Sequence, residues 1–228
     1  MQDTLTAAEA AKPLTLLEML REKTEALHTK AERTGFIVDI LKGRVSPADY
    51  ALFLRSLLPA YRALENALAR HGETSLLGPI VRPELNRSAA IEADLRQLVP
   101  DTAIADIALL PEARAYEKAV VEAGQGDGAR LVAHAYARYL GDLSGGQILK
   151  RLLMKSPGLP PEALSFYDFP AISDHAAFKA EYRGAIIAIG DRIDDPEAVA
   201  EEGARAFELN IALSLALQAR IGANQTVS

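Results

Sequence analysis

Four histidines and a set of carboxylates are the side chains best suited to bind a metal or carry a proton, because the sequence contains no cysteine. Thiol nucleophiles, disulfides, thiolate zinc sites and cysteine-ligated iron–sulfur clusters are therefore excluded. His71 and His175 lie at predicted helix ends, where we expect surface positions. His28 and His134 lie inside predicted helices, where a lone histidine is more often structural than a metal ligand.

A glycine-rich segment interrupts a long helical pattern, and it is the second feature with chemical potential. The run is Gly141-Asp-Leu-Ser-Gly-Gly146, and each glycine costs roughly 1 kcal/mol relative to alanine. Gly141 and Gly145 share one helix face, which admits either a flat ligand or a closely packed helix, and Gly145-Gly146 permits a kink. A phosphate loop is disfavoured, since no strand precedes the glycines and no Gly-Lys-Ser/Thr follows.

These residues must be positioned by helices, because strong helix formers dominate throughout and no run of alternating β-branched residues is present. We predict an all-α fold, one compact domain of about eight helices over residues 14–221. Residues 1–13 are predicted to be a flexible lead-in and residues 222–228 a flexible tail, with a loop around 100–101. The predicted helices span residues 16–31, 37–41, 46–71, 86–98, 111–123, 129–154, 174–189 and 196–221.

Composition narrows the function. The 228 residues carry a net charge of −6, which argues against a nucleic-acid binder. No stretch approaches the roughly 18 apolar residues of a membrane span, and the start lacks the pattern of a signal peptide. We therefore predict a cytoplasmic protein with no membrane anchor, and a monomer.

Two longer motifs resemble a known family. The run Leu131-Val-Ala-His-Ala-Tyr-Ala-Arg-Tyr-Leu-Gly-Asp-Leu-Ser-Gly-Gly-Gln147 is similar to the signature of biliverdin-forming haem oxygenases, with a departure at Ala137. The run from Leu20 to Glu32 resembles the family's proximal-histidine helix. Further matches follow in order, so the resemblance spans about residues 14–220.

The resemblance implies that haem b is both substrate and cofactor, held between the His28 helix and the glycine-rich distal helix. O2 is the implied co-substrate, and cleavage at a meso carbon, predicted to be alpha, yields biliverdin, carbon monoxide and ferrous iron. The sequence has no flavin or nicotinamide fingerprint. An external electron donor, a ferredoxin or a reductase, is therefore expected.

The same resemblance assigns roles to individual residues. His28 is the implied axial ligand of the haem iron, with Glu32 orienting its ring, and His134 is structural. Asp142 is the implied proton source, supported by a distal set of Arg138, Tyr61 and Asn210. The other residues assigned to haem binding are Gly141, Ser144, Gly145, Gly146, Arg21, Tyr136, Lys179, Tyr182, Arg183 and Phe207.

Arg21, Lys179 and Arg183 are the cations expected to hold the propionates, whereas Glu25 stands where some relatives carry lysine. A basic face that steers an acidic electron donor is also expected. Its residues would be Arg21, Lys23, Lys30, Lys150, Arg151, Lys179 and Arg183.

Two other functions remain open. The first is a haem carrier or sensor that binds through His28 but lacks a working distal network; the intact glycine motif argues against it. The second is an enzyme of the same broad fold acting on another small molecule, such as a thiamin-pyrimidine hydrolase, which would be expected to use a cysteine that this chain lacks.

Overall fold

The computed structural model describes residues 13–72 and 76–225, and every regular element within those ranges is helical. The all-α prediction is confirmed. Most of the predicted lead-in and the last three residues of the predicted tail lie outside the described residues. None of the helices in these ranges is long and apolar enough to cross a membrane.

The described residues form eleven α-helices rather than about eight. Two differences account for the change: the helix predicted over 129–154 is divided into three, and the predicted loop at 100–101 begins a short helix. The last helix also continues four residues past its predicted end at 221. The helices are α1 Leu16–Glu32, α2 Phe36–Leu41, α3 Pro47–His71, α4 Ser88–Leu98, α5 Asp101–Ile104, α6 Pro111–Ala123, α7 Leu131–Ala135, α8 Gly141–Ser144, α9 Gly146–Leu153, α10 His175–Gly190 and α11 Pro196–Gln225.

Local sequence signals fix where the two helices that carry His28 and Tyr61 begin. Thr15 caps α1 and exchanges hydrogen bonds with Glu18, in a complete capping box. Ser46 and Asp49 form the same arrangement at α3, with Pro47 in the first turn. Each box satisfies backbone N–H groups that a helix start leaves unpaired.

The long helix α11 organises the packing. It lies along α1 and also contacts α7 and the turn that follows α7. The approach to α1 is close: a Cβ atom on Gly203 would come within 2.6 Å of Leu20 Cδ2. α11 therefore holds the His28 helix and the start of the glycine segment on one support.

The glycine segment is not a continuous α-helix. After α7, residues Tyr136–Leu140 form a π-helical turn, α8 follows, and Gly145 separates α8 from α9. A π turn accommodates one extra residue and is common at functional sites. The predicted interruption is therefore present, and it is longer than the Gly145-Gly146 kink expected from the sequence.

Candidate active site

The glycines of the segment meet two different surroundings. A Cβ atom on Gly141 would meet nothing within 4 Å, and one on Gly145 would meet only the Gly141 carbonyl oxygen at 3.6 Å. A Cβ atom on Gly146 would instead lie 3.1 Å from the Tyr167 ring. Gly141 and Gly145 thus leave an open backbone surface, whereas the predicted ligand-binding position Gly146 packs against the protein itself.

A buried carboxylate follows Gly141 directly in the chain. Asp142 is 7% exposed and accepts a hydrogen bond of 2.5 Å from the Tyr61 hydroxyl. Tyr61 reaches it from the middle of α3, and its ring packs edge-on against Phe166. A carboxylate and a phenol from helices distant in sequence are therefore joined directly at the glycine segment.

Arg138 connects this pair to α11. Its Nε and Nη2 donate to the Tyr61 hydroxyl at 3.0 and 2.9 Å, and its Nη1 donates to Asn210 Oδ1 at 2.6 Å. Its Nη2 also lies 3.8 Å from Asp142 Oδ1. The structure thus unites all four predicted distal residues in one network that draws on three separate parts of the chain.

Burial sets the electrostatics of the network. It raises the pKa of Asp142, although the charges of Arg138 and Arg87 and the hydrogen bond from Tyr61 oppose the shift. It also raises the pKa of Tyr61 well above its ordinary value. For Arg138, burial alone would lower the pKa, but Tyr61 and Asp142 hold it above the ordinary value, so the guanidinium stays charged.

Arg87 was missed from the sequence. It is 5% exposed, and its guanidinium is held by the carbonyl oxygens of Leu85, Glu84 and the segment around Phe166. No sequence motif identifies Arg87, because it comes near Asp142 through the fold and not through a regular spacing in the sequence. It contributes a second positive charge near the buried carboxylate.

The histidine predicted to ligate iron lies on α1 and is accessible. The His28 side chain is 56% exposed, and its ring centroid is 5.7 Å from that of Phe207 on α11. Its Nδ1 faces Glu32 Oε1 at 3.6 Å, which is too long for the expected hydrogen bond. The predicted pair is thus adjacent, and Nδ1 rather than Nε2 is the nitrogen turned towards the carboxylate.

The predicted propionate residues divide into two groups. Lys179 on α10 donates to the Ser144 hydroxyl on α8 at 3.4 Å, which places its ammonium beside the glycine segment. Arg183 and Arg21 are exposed. Tyr182 is 1% exposed and donates to the Ile80 carbonyl oxygen at 3.3 Å, so its hydroxyl is held in the core.

Tyr136 and the other three histidines are all at least partly buried. Tyr136 is half-buried on the π turn. His134 is fully buried, and its Nε2 lies 3.0 Å from Glu202 Oε1, which supports its predicted structural role. His71 is partly buried rather than solvated, because its Nε2 bonds the Gly124 carbonyl oxygen at 2.7 Å. His175 is also partly buried, edge-on to Phe169.

The predicted basic face is smaller than expected. Lys23 pairs with Glu197 at 2.6 Å, and Lys150 pairs with Asp168. Both charges are therefore compensated by neighbouring carboxylates. Of the seven predicted cations, the five outside these two ion pairs are Arg21, Lys30, Arg151, Lys179 and Arg183.

These features together suit a flat, anionic, metal-containing ligand such as haem. The open glycine backbone admits a planar ring, and His28 offers an imidazole that the protein core does not use. Lys179 and the exposed arginines match carboxylate groups at a ring edge. Asp142, which adjoins Gly141 in the chain, supplies a buried acid–base group.

Comparison with known proteins identifies the family. The family model described as "Heme oxygenase" matches residues 14–216. "Heme oxygenase 1" of Homo sapiens is 39% identical over 217 residues, which cover 90% of this chain and 73% of that protein. The structure of heme oxygenase-1 from the cyanobacterium Synechocystis sp. PCC6803 in complex with heme has a TM-score of 0.86 and 33% identity, covering 94% of this chain and 97% of that one.

The chain therefore belongs to the haem oxygenase family, whose function is the degradation of haem to biliverdin. A TenA homologue from P. horikoshii OT3 has a TM-score of 0.67, 14% identity and coverage of 90% of this chain and 99% of that one. That likeness extends to the fold alone.

Proposed function

We propose that this chain cleaves haem at the open surface of Gly141 and Gly145, with His28 as the axial ligand of the iron. The observation that carries the proposal is that these open glycines lie in the same segment as Asp142, whose carboxylate belongs to a buried hydrogen-bonded network. A haem carrier needs the histidine but not a buried acid. The hydrogen-bonded carboxylate, phenol and guanidinium at this segment favour the oxygenase over the carrier.

Haem, when bound, supplies the iron at which O2 is reduced, and it also supplies the carbon that is oxidised. The role of the protein is to deliver protons without exposing the reaction to bulk water. Asp142 suits this role because burial raises its pKa, which lets it hold a proton at a higher pH than an exposed aspartate does. Tyr61 and Arg138 fix its orientation by hydrogen bonds.

Haem orientation depends on the propionates, and we assign these to Lys179, Arg183 and Arg21. The support is the position of Lys179 at Ser144 and the exposure of both arginines. Glu25 lies one helical turn from Arg21 on α1 and reduces the positive charge there. Cleavage at the alpha meso carbon remains our prediction for the product.

Electrons come from an external ferredoxin or reductase in this proposal. Arg21, Lys30, Arg151, Lys179 and Arg183 form the reduced set of cations to which an acidic donor would be drawn. Reversal of Arg151 to Glu should then slow turnover with a protein donor and leave turnover with ascorbate unchanged. The cytoplasmic location and the monomeric state likewise remain predictions.

The experiment that tests the proposal follows the absorption of the protein with one equivalent of hemin after addition of ascorbate in air, with an iron chelator present. We expect loss of the Soret band and growth of biliverdin absorption. A Soret band that persists under reduction would favour the carrier. Absence of any Soret shift on hemin addition would contradict haem binding itself.

A further inference from the structure

The aromatic segment that follows α9 contacts the candidate site, but the proposed reaction gives it no role. Its backbone, Pro161–Tyr167, forms two short 3-10 turns separated by a kink at Ala163 and Leu164, and it packs on α4 and α9. Two consecutive rings from this segment reach the candidate active site. Phe166 lies edge-on to Tyr61, with centroids 5.6 Å apart at 78°, and Tyr167 lies against Gly146.

Asp94 on α4 holds this pair of rings in place. It is fully buried and accepts hydrogen bonds from the Ser165 backbone N–H at 2.9 Å, the Ser165 hydroxyl at 2.5 Å and the Phe166 backbone N–H at 2.8 Å. One carboxylate oxygen thus serves Ser165 and the other serves Phe166. Burial raises the pKa of Asp94, and these hydrogen bonds oppose that shift.

Burying a carboxylate to restrain a loop costs free energy, because hydrogen bonds must offset its desolvation. Other contacts already restrain the same loop: Gln147 Nε2 donates to the Tyr167 carbonyl oxygen at 2.6 Å, and Lys150 pairs with Asp168. Those contacts hold the loop to α9. Arg87, just before α4, donates to the Phe166 carbonyl oxygen at 3.4 Å, and Asp94 adds a separate restraint on the Phe166 backbone N–H.

We propose that Asp94 is a positioning residue for the distal network, acting through the Phe166 ring on Tyr61. The inference rests on the proposed function, since the network is assigned there to proton delivery. Its physical basis is a chain of direct contacts from Asp94 to the Phe166 backbone, from the Phe166 ring to Tyr61, and from Tyr61 to Asp142 and Arg138. Displacement of Phe166 would free the Tyr61 ring to rotate away from Asp142.

The Arg138 Nε–H group reports on this chain of contacts without haem, because it donates to the Tyr61 hydroxyl. Its resonance can be observed in the ¹⁵N–¹H NMR spectrum of the full haem-free chain and assigned with Arg138→Lys. Asp94→Asn keeps the shape of the side chain but places an amide donor opposite one backbone donor. We expect the Arg138 Nε–H resonance to shift and to lose its slow exchange with water.

Asp39→Asn is the matched control. Asp39 is also a buried aspartate that fixes local structure, accepting from Arg44 at 2.6 Å and from Gln218 at 2.9 Å, but it has no contact with Phe166. We expect Asp39→Asn to lower the melting temperature without moving the Arg138 resonance. If Asp94→Asn lowers the melting temperature and leaves that resonance unchanged, Asp94 is only a structural residue and the proposal is overturned.

Phe166→Leu separates the ring from the loop, since it keeps an apolar side chain and removes the edge-on contact. It should move the Arg138 resonance as Asp94→Asn does, and the double variant should show little additional shift, because both changes act through one contact. Independent, additive shifts would contradict the route through Phe166. If Asp94→Asn does not fold, Phe166→Leu carries the test alone, and an unchanged Arg138 resonance in that variant would overturn the proposal.

Turnover of hemin gives a second readout. We expect Asp94→Asn to lower kcat by about tenfold, the size of one disrupted buried hydrogen bond, with little change in KM. Failure of the wild-type protein to degrade hemin would contradict the proposed function. The NMR comparison would still decide whether Asp94 positions Tyr61, so the two failures can be told apart.

Discussion

The glycine-rich segment and α1 are assigned to the two faces of the haem. They differ in how far their side chains are already held by hydrogen bonds within the protein. On the distal side, Asp142, Tyr61, Arg138 and Asn210 are already joined by hydrogen bonds. On the proximal side, His28 is 56% exposed and too far from Glu32 for a hydrogen bond. The acid–base machinery is thus preorganised, whereas the ligand side depends on haem to complete it.

The largest expected effect comes from the proximal side. His28→Ala should abolish hemin turnover and alter the Soret position, because it removes the only histidine exposed beside the haem-binding residues. Since the side chain is exposed, we expect the free energy of unfolding to change by no more than about 0.5 kcal/mol. Hemin titration and thermal unfolding provide the two measurements.

His175→Ala is the control for that variant, because His175 is another helical histidine with an aromatic neighbour. It should retain turnover. Equal turnover in wild type and His28→Ala would remove His28 from the role of axial ligand.

The next effect tests the distal side. Asp142→Asn should bind hemin normally and degrade it about 100-fold more slowly, the usual contribution of a positioned acid–base group. Single-turnover absorption measurements separate the two steps. Weakened hemin binding with unchanged turnover would mean that Asp142 supports the ligand surface rather than the reaction.

Asp142 should also leave a pH signature in stability. Burial raises its pKa in the folded protein, so its favourable contribution is present below its ordinary pKa and is lost as the pH rises through the folded-state pKa. Wild type should therefore lose stability relative to Asp142→Asn between acid and neutral pH. Urea unfolding at several pH values measures the difference, and a gain with rising pH would contradict the assigned shift.

The contrast between the two sides also shows what the sequence predicts. The all-α fold could be predicted because helix periodicity is a local property of the sequence. Asp142, Tyr61, Arg138 and Asn210 could be predicted because the signature motif is long and the resemblance extends along the chain. The roles of Arg87 and Asp94 could not, because each depends on contact with a loop that lies 79 or 72 residues further along the chain. The resemblance assigned Tyr182 and Gly146 to haem binding. In the structure the Tyr182 hydroxyl bonds within the core, and Gly146 faces the Tyr167 ring.

The hydrogen-bonded pair His134 and Glu202, which connects α7 to α11, is expected to give the smallest effect, a pH-dependent change in stability. Burial would raise the pKa of Glu202, but the His134 hydrogen bond and the charges of Arg205 and Arg130 leave it below the ordinary value. Its stabilising contribution is then present above the ordinary pKa and is lost as the pH falls through the folded-state pKa. Glu202→Gln should therefore be less stable than wild type near neutral pH and converge with it in acid.

Convergence of the two unfolding curves in acid is the decisive feature of that experiment. A difference that persists unchanged at low pH would indicate a packing role for Glu202. Arg205→Gln serves as a milder comparison, since Arg205 is more exposed and shares its charge with Glu122.

We infer that the open helix face at Gly141 serves haem binding and not packing against another part of the protein. The most direct measurement determines hemin affinity and haem-free stability together in Gly141→Ala, with Gly146→Ala as the control that clashes with Tyr167. We predict that Gly141→Ala raises the free energy of unfolding by about 0.5–1 kcal/mol, through helix propensity, while weakening hemin binding at least tenfold. An alanine at this position that leaves hemin affinity unchanged would contradict the claim.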